Sequence, residues 1–192
     1  VGMSSRAPDV ISPEEYLEHE RQAEVKSEYV DGQAVAMAGA SYVHNLITAN
    51  LIGALWSRLR GGECGVMPSD MRVRAGRQYF YPDVVVVCGE PHFEDEEHDV
   101  LLNPALLIEV LSPSSRNYDR GEKFMRYQQI ESLTDYLLVD QERTRVQHFH
   151  CKKGYWILAE TEDLTESVAL DSLGCELPLT EIYDRTPIAI SE

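Results

Sequence analysis

The sequence predicts an α/β fold in which helices cover a central sheet, and three observations carry that expectation. Two apolar runs, Asp83-Val84-Val85-Val86-Val87-Cys88 and Ala105 to Leu111 (ALLIEVL), are unbroken except for one acid each. Runs without alternation belong to strands buried on both faces. A third run, Asp135 to Asp140 (DYLLVD), repeats the pattern. Between Ser41 and Leu59, the residues Val43, Leu46, Ile47, Leu51, Ala54, Leu55 and Leu59 recur at helical spacing, as a covering helix requires.

The remaining elements follow in chain order. Ser12-Pro13-Glu14-Glu15 is an N-cap, a first-position proline and early acids, so a short helix begins there. Asp31-Gly32 between two semi-alternating runs predicts an N-terminal hairpin. The long helix should end near Gly61-Gly62. Residues 64–76 (CGVMPSDMRVRAG) read as an extended segment, alternating around Met71, Arg72, Val73 and Arg74. Residues 89–104 read as an acidic loop, and Ser112-Pro113-Ser114-Ser115 ends the strand that carries Glu109. Asp119-Arg120-Gly121-Glu122 has capping-box spacing and should open a helix reaching about Ile130. Residues 144–151 and 155–160 should pair around Lys152-Lys153-Gly154 as a C-terminal hairpin near a sheet edge. The tail from Asp171 to Ile188, with Leu173, Leu177, Leu179 and Ile182, should pack on the body.

A chain of 192 residues suffices for one buried core and is short for two domains. Residues 1–11 are expected to be a cloning remnant (Val1-Gly2-Met3) and a flexible N-terminus, and residues 12–192 a single domain. No apolar run approaches the roughly 18 to 20 residues that cross a bilayer, so no membrane partner is expected. Cys64, Cys88, Cys151 and Cys175 fit neither a CxxC metal motif nor a disulfide framework, and read as free thiols in a reducing cytoplasm. The net charge of −16 opposes nonspecific grip on a phosphate backbone. Basic residues nevertheless gather in 58–77 (Arg58, Arg60, Arg72, Arg74, Arg77) and in 116–126 (Arg116, Arg120, Lys123, Arg126).

Chemistry is expected at two acids. A carboxylate inside a doubly buried strand costs several kcal/mol unless it is paired or meets a cation. Glu109, between Ile108 and Val110, is in that position, and Asp83 opens the other inner strand. On adjacent strands the two could share one hard divalent cation. A turn role for Asp83 and a buried ion pair for Glu109 are the structural alternatives. Lys123 lies in the first turns of the following helix, with Tyr127 one turn on. It is either a solvated helix lysine or a group that stabilises transition-state charge. His148 and His150 alternate onto one strand face, as a polar edge face or as metal ligands.

Pro82-Asp83, Glu109-Val110-Leu111 and a helical Lys123 resemble the PD-(D/E)XK nuclease superfamily. Within it, Glu109 to Ser115 followed by Tyr118 to Lys123 and Tyr127 is similar to the Uma family of restriction endonucleases, with Glu28 to Gly32 and His44 matching its opening pattern. The resemblance covers nearly the whole chain. It implies a restriction-endonuclease-like fold, a mixed central sheet flanked by helices with added N- and C-terminal hairpins. It also implies that Asp83, Glu109 and the Val110 carbonyl hold Mg²⁺ or Mn²⁺, and that Asp83, Glu109 and Lys123 are catalytic on DNA. Glu28, His44, Asp70 and Tyr127 are auxiliary candidates. The sequence departs from the superfamily at Leu111, where lysine is usual, so Lys123 would have to act from the helix.

Two other readings compete. One is a catalytically silent module of the same fold, favoured by the acidity and by Leu111. The other is a hydrolase using Ser112 or Ser114 with His44, for which no GxSxG elbow exists. A homodimer that aligns the two basic segments would offset the acidity towards DNA.

Overall fold

The computed structural model describes residues 10–190, so the expected N-terminal remnant lies outside the described residues except for Val10 and Ile11. The centre is a six-stranded mixed sheet in the order β11-β10-β9-β8-β6-β3. These strands are β3 (Cys64–Pro68), β6 (Val84–Cys88), β8 (Leu106–Leu111), β9 (Asp135–Asp140), β10 (Val146–Lys152) and β11 (Tyr155–Thr161). β8 runs parallel to β9 and antiparallel to β6. Every residue of β8 and β9 is buried, as their unbroken apolar runs predict.

The two faces of this sheet carry two cores. On one face, α2 (Tyr42–Leu59) lays Ile47, Leu51 and Leu55 against Val84, Val86, Ile108, Leu137 and Val139. On the other, Val85, Leu107, Leu111 and Leu138 pack with Phe124 and Tyr127. α2 starts where Ser41 Oγ accepts the His44 N–H at 3.1 Å. The short helix α1 (Pro13–Glu20) opens with the complete reciprocal capping box between Ser12 and Glu15.

The predicted hairpins form. β1 (Ser27–Val30) and β2 (Gln33–Ala36) turn at Asp31-Gly32, both with positive φ, and β10 and β11 turn at Lys153-Gly154 on the sheet edge. The N-terminal hairpin is not a simple appendage, however. With β4 (Arg72–Ala75), β5 (Gln78–Phe80) and β7 (Val100–Leu101) it builds a second, five-stranded sheet, β2-β1-β5-β4-β7. The extended segment 64–76 is therefore two strands in two sheets, separated by the turn at Ser69 and Asp70. The chain returns to the central sheet through Tyr81-Pro82-Asp83, where proline, lacking an N–H, suits a gap between ladders. The acidic loop contains β7, and Arg21 anchors it through Asp95 and Asp99 at 2.7 and 2.9 Å.

Two expectations need correction. Asp119 does not cap a helix: the helical run begins at α3 (Arg116–Tyr118), widens into a π-helical turn over Asp119–Lys123 and ends in α4 (Phe124–Tyr127). The reciprocal bonds at the helix entry are made upstream by Ser112 and Ser115, which frees the Asp119 side chain to turn inward. Nor are all four cysteines free. The antiparallel register sets Cys64 opposite Cys88, and the two form a disulfide; Cys151 and Cys175 stay free. Twenty-four residues of separation hid a pairing that only the β3–β6 ladder creates.

The tail packs on the α2 face as expected, with a hairpin of β12 (Ser167–Leu170) and β13 (Cys175–Pro178), then α5 (Leu179–Ile182) and α6 (Pro187–Ile190).

Candidate functional site

Asp83 and Glu109 come together because β6 and β8 are antiparallel neighbours with Val84 opposite Ile108, which sets the next residues, 83 and 109, at one level. Asp83 Oδ2 accepts the Val110 N–H at 2.7 Å, and its Oδ1 meets His44 Nε2 at 2.9 Å. The Val110 carbonyl lies near the His44 ring. That carbonyl belongs to the part of β8 that outruns its ladder with β6, so it is free for a partner other than a strand.

The helical lysine reaches the acids. Lys123 Nζ lies 2.8 Å from Glu109 Oε1, 2.9 Å from Glu28 Oε1 and 3.9 Å from Asp119 Oδ1. Tyr127 donates its hydroxyl to the same Glu109 Oε1 at 2.8 Å. Both donors converge on Oε1, which leaves Oε2 as the oxygen of Glu109 open to a further partner. Lys123 and Glu109 are 4 % and 5 % exposed, so these charges interact with little water between them.

The electrostatics follow from crowding. Burial pushes the Glu109 carboxyl well above its usual range; Lys123 opposes this, while Asp119, Asp83 and Glu28 add to it. Burial alone would lower the lysine, yet Glu109, Glu28 and Asp119 hold the Lys123 ammonium well above its ordinary value. Burial likewise opposes the charged form of His44, and Asp83, with the Val110 backbone, outweighs it, raising the imidazole. Three carboxylates thus surround one lysine, with Asp83 close by on His44, an excess of negative charge in a desolvated place. Asp83 Oδ1 meets the His44 ring while its Oδ2 accepts from the Val110 N–H, so the Asp83 carboxylate is held beside the Val110 backbone. An all-oxygen donor set of this kind fits a hard divalent cation.

Of the auxiliary candidates, Glu28, His44 and Tyr127 are in this cluster, and Asp70 is not. Asp70 sits on the surface, paired with Lys26 at 2.7 Å, its side chain 82 % exposed. Asp119 is the member that sequence reasoning missed. Its signal was the spacing Asp119, Lys123, Tyr127, three residues on one helical face.

The serine arrangement does not assemble. Ser112 Oγ bonds Ser114 and Ser115, both at 3.0 Å, while His44 is committed to Asp83. The basic segments are also largely consumed. Arg58 pairs with Glu181, Arg72 with Asp99, Arg74 with Glu94, Arg116 with Asp140 and Glu142, and Arg126 with Asp31.

A mixed sheet with paired acids on adjacent inner strands and a lysine brought in from a helix defines a nuclease-like α/β protein. Residues 13–180 match the family model Uma2, described as "Putative restriction endonuclease", and the chain belongs to that family. The chain is 40% identical over 155 residues to "Uncharacterized protein sll1609" of Synechocystis sp., covering 79% of this chain and 87% of that one. It is 35% identical over 176 residues to "Uncharacterized protein slr1290" of the same organism, covering 90% and 91%. Among solved structures, a crystal structure described as a putative nuclease belonging to DUF820, from Anabaena variabilis, superposes with a TM-score of 0.76 at 17% identity. The match covers 90% of this chain and 97% of that one, and establishes the fold.

Proposed function

We propose that the protein is a Mg²⁺- or Mn²⁺-dependent endonuclease that hydrolyses phosphodiester bonds of DNA, with Asp83, Glu109 and Lys123 as its catalytic residues. The observation that supports this best is the approach of Lys123 Nζ to within 2.8 Å of Glu109 from a helix, although Leu111 occupies the usual lysine position. Asp83, Glu109 Oε2 and the Val110 carbonyl would hold the ion. When bound, such an ion lowers the pKa of a water and neutralises phosphate charge.

The chain's own groups do the rest. Tyr127 fixes the Glu109 carboxylate in one orientation through its hydroxyl. Glu28 and Asp119 keep Lys123 protonated and aimed at the acids. Lys123 then stabilises the negative charge that develops on the phosphate oxygens, where a preplaced ammonium costs no reorganisation. The working unit is one domain over residues 12–192. A homodimer would bring the few unpaired basic residues of two copies to one duplex.

Cleavage of labelled single-stranded, duplex and branched DNA under saturating Mn²⁺ tests the reading, comparing wild type with Asp83→Asn and Glu109→Gln. Cleavage by wild type and its loss in both variants is expected. Equal rates in all three would overturn it, and no cleavage by any would favour a silent module of the same fold.

A further inference from the structure

On the opposite face of the central sheet, three other metal-binding side chains meet. We propose that Asp135, His148 and His150 form a binding site for a borderline transition-metal ion of the zinc class, separate from the carboxylate cluster around Glu109.

Strand geometry builds the cluster. Residues 146, 148 and 150 of β10 share one face, and Val146 places that face in the α2-side core. The antiparallel register sets His150 opposite Asp135, the first residue of β9, and His148 opposite Leu137. Asp135 shares its face with Leu137 and Val139, which also belong to the α2-side core, whereas Glu109 shares its face with Leu107 and Leu111 on the other side. The parallel β8–β9 register places Asp135 beside Leu106, at the end of β8 remote from Glu109. The two sites therefore share neither face nor end of the sheet.

The three donors point at one another. His148 Nε2 lies 2.6 Å and His150 Nδ1 2.8 Å from the same oxygen, Asp135 Oδ1, and all three ligand atoms fall within 4.8 Å. The second carboxylate oxygen is fixed from behind. Thr134 Oγ1 donates to Oδ2 at 2.8 Å, and Ser172 Oγ, from the turn Asp171–Leu173 between β12 and β13, bonds the same atom. A ligating carboxylate whose outer oxygen is held by hydroxyls presents its inner oxygen in one direction, the outer-shell arrangement of metal sites. Asp135 is fully buried, whereas the His150 side chain is 29 % exposed, so one flank is open to an entering ion.

The donor set decides the ligand class. Two imidazole nitrogens and one carboxylate oxygen suit Zn²⁺, Co²⁺ or Ni²⁺, and disfavour Mg²⁺, which takes oxygen ligands and keeps its waters. Ions of that class hold such atoms about 2.0–2.2 Å from the metal, so separating the donors by under an ångström or so makes room. Three protein ligands leave a fourth position for water or an exogenous group. The bound ion would tie β9 and β10 to the C-terminal hairpin through Ser172.

Calorimetric titration of Zn²⁺ into chelator-treated full-length protein, with Mg²⁺ in excess, tests the proposal. One equivalent is expected to bind to wild type and equally to an Asp83→Asn, Glu109→Gln double variant, whose carboxylate site is disabled. His148→Ala and His150→Ala should each weaken binding by about 100-fold or more, and Ser172→Ala by about 10-fold. Ring ¹⁵N signals of wild type provide the second readout, free of any folding defect in a variant. On one equivalent of Zn²⁺, His148 Nε2 and His150 Nδ1 should shift as metal-bound nitrogens while His44 does not. Unshifted His148 and His150 signals, or undiminished Zn²⁺ binding in both alanine variants, would overturn the site and leave a hydrogen-bonded triad only.

Discussion

Glu109 and Asp135 stand on neighbouring parallel strands, both almost inaccessible to water, and their carboxyl groups are displaced in opposite directions. Glu109 is pushed well above its usual range. Asp135, for which burial also favours the neutral form, is drawn down to about 2 by bonds from His148, Ser172, His150 and Thr134. Burial is common to the two, so donors decide. Asp135 meets four donors, whereas Glu109 shares one lysine with Glu28 and Asp119 and has the charge of Asp83 beside it. The first place is a settled anion facing nitrogen; the second is an oversupply of oxygen charge around one cation. They invite different metals, one borderline and one hard.

The sharpest way to break the comparison is to remove the cation at the crowded site. Lys123→Ala should reduce Mn²⁺-dependent cleavage by about 10²–10³-fold, the usual cost of losing one preorganised charge donor. It should also destabilise the metal-free protein by about 3–5 kcal/mol, because the buried Glu109 and Asp119 and the partly buried Glu28 lose their partner. Urea unfolding and single-turnover cleavage measure the two effects. A variant as stable and as active as wild type would show that the lysine is incidental to the site.

Metal-dependent stabilisation comes next. At 100-fold excess over its dissociation constant, Mg²⁺ or Mn²⁺ should stabilise wild type by about 2.7 kcal/mol. Asp83→Ala or Glu109→Ala should remove this gain, read as the loss of the metal-induced rise in Tm. A rise that persists in both variants would place the ion elsewhere.

The pH response separates the two acids directly. A carboxyl lowered from 3.8 to about 2 in the folded state contributes stability that is complete above the unfolded value and is lost as pH falls through about 2. For Asp135 that amounts to about 2 kcal/mol. Asp135→Asn should flatten the fall in stability between about pH 4 and pH 2. Carboxyl ¹³C titration of metal-free protein should find Asp135 ionised throughout mild acid and Glu109 still protonated above the usual carboxylate range. Matching titrations for the two groups would end the distinction.

How much of this was legible depends on whether the cause was local. Glu109 stood out because an acid interrupts an unbroken apolar run, and the antiparallel partner carrying Asp83 was readable in the same way. Lys123 and Tyr127 followed from helical spacing after that strand. Asp119 was misread because Asp followed three residues later by Glu is also a cap signature, and nothing local reveals that Ser112 and Ser115 already serve the helix entry. The Cys64–Cys88 bond, the second sheet and the meeting of Asp135 with His148 and His150 each depend on a register between strands. Alternation placed the two histidines on one face; which acid would oppose them is a property of the ladder.

The smallest expected effect tests the finest part of the comparison, the single neutral donor at Glu109. Tyr127 is fully buried and gives its hydroxyl to Glu109 Oε1, the oxygen that Lys123 also holds. Its own pKa is raised well above the ordinary value by burial and then by Glu109, so it remains a donor at every working pH. Tyr127→Phe keeps the ring, which packs edge-on against Phe80 and Tyr136, and removes only that bond. A hydrogen bond to a charged group contributes roughly 1.5–3 kcal/mol, and one to a neutral carboxyl nearer 1. Glu109 in the metal-free protein leans towards the neutral form, so a loss of about 1 kcal/mol is expected without metal. With Mn²⁺ bound the carboxylate is ionised, the bond is charge-assisted, and the loss should grow towards 2 kcal/mol. Unfolding of wild type and Tyr127→Phe with and without Mn²⁺ measures the difference. An identical loss in both conditions would show that the ion does not change the charge of Glu109, and would remove Glu109 from its ligands.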